Sequence, residues 1–322
     1  MMIILLIWAI IAFSISFFAT VFVKHFAFRK AFIDRPSQAR KIHTRTTARL
    51  GGLAIYIAFA VVLIVLLLTS SQLTDGKITS FHYIGLLIGG LILMVGGALD
   101  DRFDLPPRLS FISPVLAVLI LIGSGIEVEK LTNPFGGIIY LTSFQSDILV
   151  FVWMMIVMYT TKFLDGLDGL ATSVSTIGAF MVMLLSLTAA YFQPDVALLS
   201  AVSIGAFLGF LFWNFHPASI FLGEGGSTFV GFILGTLAVI SGGKLATALL
   251  VLGIPIFDVI WVVARRCKTG GIRNIFHGDR KHLHHRLLDL GLGQKRVVFI
   301  YIFIASAFGV STLFLQSRQK LV

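Results

Sequence analysis

Four short segments carry side chains that could do chemistry together. In L-D-D-R-F-D, Asp100, Asp101 and Asp104 stand at three- and four-residue spacings, which predicts one helical face before Pro106 and Pro107 stop the helix. Carboxylates so close repel one another unless a cation or a proton relieves them; the plainer reading is a solvated helix end with Arg102 and Arg108 as counter-ions. In K-F-L-D-G-L-D-G, Asp165 and Asp168 are again three apart, each followed by glycine. A helix expected from Leu170 would aim its first N–H groups at the same place, which favours an anion such as phosphate. Glu224 lies in the glycine-rich turn G-E-G-G-S, where a carboxylate can hold a hard cation while nearby amides hold phosphate oxygens. The fourth segment, H-L-H-H-R, contains His282, His284, His285 and Arg286. Asp279 is the expected N-cap of its helix and Gly291 the stop. Helical spacing puts Leu283, Leu287 and Leu290 on one face and His282, His285, Arg286 and Asp289 on another, with His284 pointing elsewhere. Histidines among so many cations suit contact with an anion such as a diphosphate better than zinc.

These segments need elements to position them, and composition says which kind. Of 322 residues 57% are hydrophobic and only 12% charged, against about 25% charged in an average soluble domain. Mean hydropathy is +0.97, which excludes an ordinary soluble enzyme and a disordered chain. The single cysteine, Cys267, excludes an intrachain disulfide framework. Ten apolar runs are long enough, or nearly so, to cross the roughly 30 Å hydrocarbon core of a bilayer. They cover approximately 1–23, 51–72, 81–99, 109–126, 147–161, 170–194, 196–214, 226–243, 245–264 and 297–316. The first is read as a span rather than a signal peptide, since it has no basic leader and no small-residue cleavage pattern follows. The fold class expected is an all-α polytopic membrane protein of about ten helices, forming one domain over 1–322.

Net charge of +10 would in a soluble protein raise nucleic-acid binding, but position assigns it another role. Loops at roughly 24–50, 100–108, 162–169, 215–225 and 265–296 hold 20 of the 25 Lys and Arg, which marks them as cytoplasmic and both termini as external. Carboxylates contribute little to orientation, yet Asp34, Asp100, Asp101, Asp104, Asp165, Asp168, Glu224, Asp279 and Asp289 share that side, with Asp258 near it inside the ninth run. All histidines but His82 are there too. On the other side, the stretch from Glu127 to Gln145 carries Asn133-Pro134 and Gly136-Gly137 between β-branched and aromatic residues, which predicts a small external hairpin.

With these segments in this order, the sequence resembles the polyprenyl-phosphate N-acetylhexosamine-1-phosphate transferases, the superfamily that includes phospho-N-acetylmuramoyl-pentapeptide transferase. The match runs through P-S-Q-A-R-K-I-H with R-L-G-G-L-A (Pro36 to Ala54), D-D-R-F-D, F-L-D-G-L-D-G-L, N-F-H-P-A (Asn214 to Ala218), G-E-G-G-S, P-I-F-D (Pro255 to Asp258) and H-G-D-R-K-H-L-H-H-R-L (His277 to Leu287). The H-L-H-H-R-L form is similar to the branch that transfers N-acetylglucosamine-1-phosphate, with the muramoyl-pentapeptide branch as the alternative. The resemblance implies transfer of a sugar-1-phosphate from a UDP-N-acetylhexosamine to undecaprenyl phosphate, releasing UMP, at the cytoplasmic face of a plasma membrane. It implies Mg²⁺, with Mn²⁺ able to substitute, membrane lipid as surroundings, no nucleic acid, and leaves room for a homodimer. By resemblance, Asp100 and Asp101 act on the lipid phosphate, and Asp168 and His282 lie in the catalytic centre. Glu224, with Asp168, would hold the metal. His282, His284, His285 and Arg286 would contact the diphosphate, while Asp165 and Asn214 shape the nucleotide-sugar site. The chain departs from the family in having Lys162 where Asn is usual and Glu224 where Asp is usual. A protonated lysine cannot ligate Mg²⁺, so either Lys162 contacts phosphate directly or the metal site is altered. Outside the family, a secondary transporter and a catalytically degenerate lipid-phosphate-binding relative are the competing readings.

Overall fold

A computed structural model gives the fold and describes residues 1–36, 45–133, 136–242, 245–270 and 282–315. In chain order its elements are α1 (Met2–Arg29), β1 (Ile33–Asp34), β2 (Thr47–Ala48), α2 (Gly51–Thr69), α3 (Ser80–Phe103), α4 (Pro107–Ser110) and α5 (Ile112–Gly123). There follow β3 (Lys130–Thr132), β4 (Ile138–Tyr140), α6 (Ser143–Leu164), α7 (Leu170–Ser186), α8 (Pro194–Asn214) and α9 (Gly223–Ile240). The last are α10 (Leu245–Val251), α11 (Gly253–Gly270), α12 (Leu283–Asp289) and α13 (Gln294–Phe314). Each of the ten apolar runs is helical. Among the described residues α1, α2, α3, α6, α8, α9 and α13 are each long and apolar enough to cross a membrane. The ninth run is a pair, α10 and α11, bent by 76°, and the fourth and sixth are the shorter apolar helices 107–123 and α7. The chain is an all-α polytopic membrane protein.

Helices α8 and α9 form the interior, with 72% and 83% of their apolar windows buried, against 17% for α1 and 33% for α13 on the outside. Close packing at the centre rests on residues without side chains. A Cβ on Gly52 would strike the Gly226 backbone, and one on Gly97 would strike that of Gly225, so α2 and α3 both touch the start of α9 main chain to main chain. Between helices in a lipid solvent such contact is a principal source of cohesion. It brings the beginning of α2, the end of α3 and the beginning of α9 to one point.

The hairpin expected in the stretch from Glu127 to Gln145 forms: β3 and β4 pair antiparallel with Leu131 opposite Ile139, and Gly136 and Gly137 take positive φ in the turn. Pro134 lies outside the described residues. A second two-stranded piece, unforeseen, joins β1 to β2, and Ala48 of β2 also bridges Ile220 in parallel. It seats the chain before α2 against the chain before α9.

Two expectations for the polar segments need correction. Asp104 does not share a face with Asp100 and Asp101: it is the left-handed C-cap of α3 and is exposed, because the helix ends one residue before it. In the last loop, Asp279 lies outside the described residues, as does His277; the helix described there starts only at Leu283, with His282 in extended conformation as its N-cap. Face assignments carried through from Asp279 therefore fail at both ends. Leu290, past the helix, is 78% exposed, and His284 is the side chain that turns inward. Gly291, at φ +87°, does stop the helix.

Candidate active site

The acidic pole is built on Asp101. Its Oδ2 accepts the Glu224 N–H at 3.1 Å, which ties the end of α3 to the start of α9, and its Oδ1 lies 3.6 Å from Arg49 Nη1. Arg49 also donates from Nη2 to Asp34 Oδ1 at 2.8 Å, so one guanidinium fork spans two carboxylates on different segments. Asp100 turns away to accept the Leu105 N–H at 3.0 Å, which closes the chain as it leaves α3.

The second part is the loop 165–169 between α6 and α7. Asp168 Oδ2 accepts from His216 Nδ1 at 2.7 Å and from the Ala218 N–H at 3.1 Å. Asn214, only 2% exposed, accepts the Gly169 N–H at 3.1 Å and donates to the Ile220 carbonyl at 3.0 Å. Its Oδ1 also accepts from the Thr172 hydroxyl at 3.5 Å, and together these bonds pin this loop to the segment that leads into α9. At the end of α6, Lys162 Nζ lies 2.5 Å from Glu224 Oε2 and 5.7 Å from the centre of the Tyr159 ring. Asp165 is within electrostatic reach of Glu224, Asp101 and Asp168. Desolvation first, and then those carboxylates, push its carboxyl well above the usual range.

The histidine segment docks onto this loop. His282 Nδ1 donates to Asp258 Oδ2 at 2.8 Å and the Leu283 N–H to Asp258 Oδ1 at 2.9 Å, so a carboxylate on α11 caps α12. The His282 ring stacks between Phe163 and His284, with centroids 5.5 and 5.7 Å away. His284 is 2% exposed and leans on Gly166, where a Cβ would collide with its Nε2; that atom is buried without a hydrogen-bond partner among the described residues. Burial, then the charges of His285 and His282, lower its pKa to about 2, so this ring is neutral at physiological pH. His285 packs on it at 4.3 Å. Arg286 lies apart, lining with Asp258, Phe257, Trp261, Leu283 and Phe308 an apolar cavity of about 510 Å³ at the bent helix pair.

Asp101, Asp165, Asp168, Glu224, Lys162 and His284 are therefore brought to one end of the bundle, while Asp100 and Asn214 serve the backbone around them. His216 and Arg49 were given no role from sequence, although both lie in motifs that sequence reading singled out. A histidine or arginine bracketed by motif residues was the available signal, but nothing local tells which carboxylate each meets.

The donors around Glu224 are hard oxygens of the type Mg²⁺ selects, yet their arrangement does not fit a resident divalent ion. Glu224 is taken by Lys162, Asp101 by Arg49 and an N–H, and Asp168 by His216 and an N–H. Among the described residues, no three His, Cys, Asp or Glu side chains converge where a metal could sit.

An apolar helical bundle with charged groups converging at one end defines a membrane protein with a polar site at one face, and comparison with known proteins gives its class, a group-transfer enzyme. A family model described as glycosyl transferase family 4 matches residues 83–242. The chain is 30% identical over 318 residues to a protein of Bacillus subtilis named a probable undecaprenyl-phosphate N-acetylglucosaminyl 1-phosphate transferase, covering 96% of this chain and 85% of that one. It is 33% identical over 337 residues to the decaprenyl-phosphate N-acetylglucosaminephosphotransferase of Mycolicibacterium smegmatis, covering 95% and 81%. To the undecaprenyl-phosphate alpha-N-acetylglucosaminyl 1-phosphate transferase of Thermotoga maritima it is 29% identical over 297 residues, covering 92% and 86%. The chain belongs to glycosyl transferase family 4.

Proposed function

We propose that this protein transfers N-acetylglucosamine-1-phosphate from its UDP-sugar to a polyprenyl phosphate, with undecaprenyl phosphate as the acceptor, at the cytoplasmic face of the plasma membrane. The names of three relatives matched over 81% to 86% of their length support the chemistry, and the excess of Lys and Arg on one set of loops supports the orientation. The observation that carries the reading is the convergence of Asp101, Asp165, Asp168, Glu224 and Lys162 at one end of an apolar bundle. One substrate is a lipid and the other is soluble, so their phosphates meet only at such an edge.

An oxygen of the lipid phosphate attacks the phosphorus that carries the sugar. The bond from that phosphorus to the bridging oxygen breaks, and UMP leaves with the electron pair. Charge on the transferring group must be met by fixed charges and dipoles. Lys162 supplies a point charge, and the hydrogen-bonded pair of Asp168 and His216 supplies a proton acceptor for the attacking phosphate. A Mg²⁺ requirement is an expectation of the resemblance, and no step here depends on it.

Purified protein given undecaprenyl phosphate and a panel of UDP-sugars, with and without Mg²⁺, should release UMP and form a lipid-diphosphate-sugar visible by mass spectrometry. Asp101→Asn and Asp168→Asn should each lower UMP release by about 100-fold or more while leaving the melting temperature close to that of the parent. No product with any sugar from folded protein, or near-normal rates in both variants, would overturn the reading.

A further inference from the structure

Lys162 and Glu224 meet because two helices are fixed against each other beneath them. Thr161, one residue before the lysine, donates from Oγ1 to the Ser227 carbonyl of α9 at 2.9 Å, and Gly231 of α9 packs against Thr161 and Met158 with no room for a Cβ. The end of α6 and the first half of α9 are thus held in register by the Thr161 hydroxyl and by close approach at Gly231. The pair they carry is sheltered, with side chains 22% and 38% exposed, unlike a pair of flexible side chains in open water.

Around this pair the other groups within electrostatic reach are carboxyls: Asp101 and Asp165 both feel the Glu224 carboxylate, and Asp165 feels Asp101 and Asp168 as well. Arg49 answers Asp34 and Asp101 and does not reach Glu224 within ion-pair distance. An ammonium 2.5 Å from Glu224 Oε2 stands where a divalent ion on that oxygen would have to stand and repels it by its own charge. Its three donors can hold the carboxylate and still reach a phosphate oxygen, which a ligating asparagine amide would not do as a charge.

We infer that Lys162 is the resident cation of this site: it holds Glu224 in an internal ion pair, excludes a divalent metal ion from that carboxylate, and offers its remaining donors to a substrate phosphate. Only the last clause rests on the transferase reading. Replacing the lysine by a neutral residue should uncover Glu224 and create a divalent site where the parent has none.

Mn²⁺ alone is the probe, titrated into the full chain in detergent micelles and followed by electron paramagnetic resonance of the free ion, with no substrate present. The parent should show no Mn²⁺ binding that Glu224→Gln weakens. Lys162→Asn and Lys162→Gln should each bind Mn²⁺ about tenfold or more tightly than the parent, Lys162→Arg should not, and adding Glu224→Gln to either neutral variant should remove the gain. Glu224-dependent binding in the parent, a gain that survives Glu224→Gln, or no gain in a folded neutral variant would each overturn the inference. The parent titration decides even where a variant fails to fold. Because no UDP-sugar is involved, failure here is distinct from failure to release UMP.

Discussion

At the end of the bundle where α6 finishes, Asp101, Asp168 and Glu224 each have a partner at fixed distance, from Arg49, His216 and Lys162 respectively. At the end where α6 begins, about 33 Å away along its 22 residues, the comparable pair is Lys77 with Glu129 beside the hairpin. Those two approach only to 4.0 Å, with side chains 87% and 64% exposed. Both ends are cut from the same apolar helices, so the difference lies in what the chain does on leaving them. Beyond α6 the 165–169 loop is pinned by Asn214, and the start of α9 opposite it is held by the Ala48–Ile220 bridge and the glycine contacts with α2 and α3. Beyond α5 a two-stranded piece with exposed Ile138, Ile139 and Tyr140 leaves charges in solvent. Charge becomes useful where backbone has already been immobilised.

The comparison breaks most severely where that immobilisation is removed. Gly97→Val would force α3 off α9 at Gly225. Overpacking of this sort costs about 1–3 kcal/mol or more, so the melting temperature should fall and UMP release should be lost with it. A normal rate from a destabilised variant would mean that Asp101 does not need its position.

A smaller effect sharpens the role of desolvation. His284 is depressed to about 2 when folded and takes up its proton near 6.5 when unfolded, so the unfolded chain binds more protons in the window between. Its contribution to stability is complete above pH 6.5 and declines as pH falls below it, by up to about 1.4 kcal/mol per pH unit. Asp165, raised in the folded state, acts in the opposite sense above the ordinary carboxylate range, losing stability as pH rises. The measurement is therefore a difference: His284→Gln against the parent, melted at pH 7.5 and at pH 5.5. The parent should lose more stability on acidification than the variant, and equal losses would show that His284 is not buried as a neutral ring.

The smallest effect belongs to the other end. Glu129→Gln should change stability by no more than about 0.5 kcal/mol and leave UMP release unchanged. A large change would show that the hairpin end constrains the site after all.

Much of this architecture could be read from sequence because lipid solvent imposes a simple rule, and ten apolar runs became helices. Runs four, six and nine resisted the uniform reading, since the helix 107–123 and α7 are shorter than a full span and the ninth run bends at the break before Gly253. The acidic and histidine segments were legible through their spacing. Their partners were not: Lys162 meets Glu224, His216 meets Asp168 and His282 meets Asp258 across folds of the chain that no local pattern encodes. His284 illustrates the limit. Helical periodicity sent it elsewhere, and Gly166, far away in sequence, decided where elsewhere was.

The contacts of Gly52 with Gly226 and of Gly97 with Gly225 have a further consequence. Main-chain spacing, unlike side-chain packing, does not drift when neighbouring residues are exchanged. The outward faces of α1 and α13 are therefore at liberty to follow the thickness and composition of whatever bilayer surrounds them, in growth conditions or over lineages, while the distances at the reactive end stay where the glycines set them.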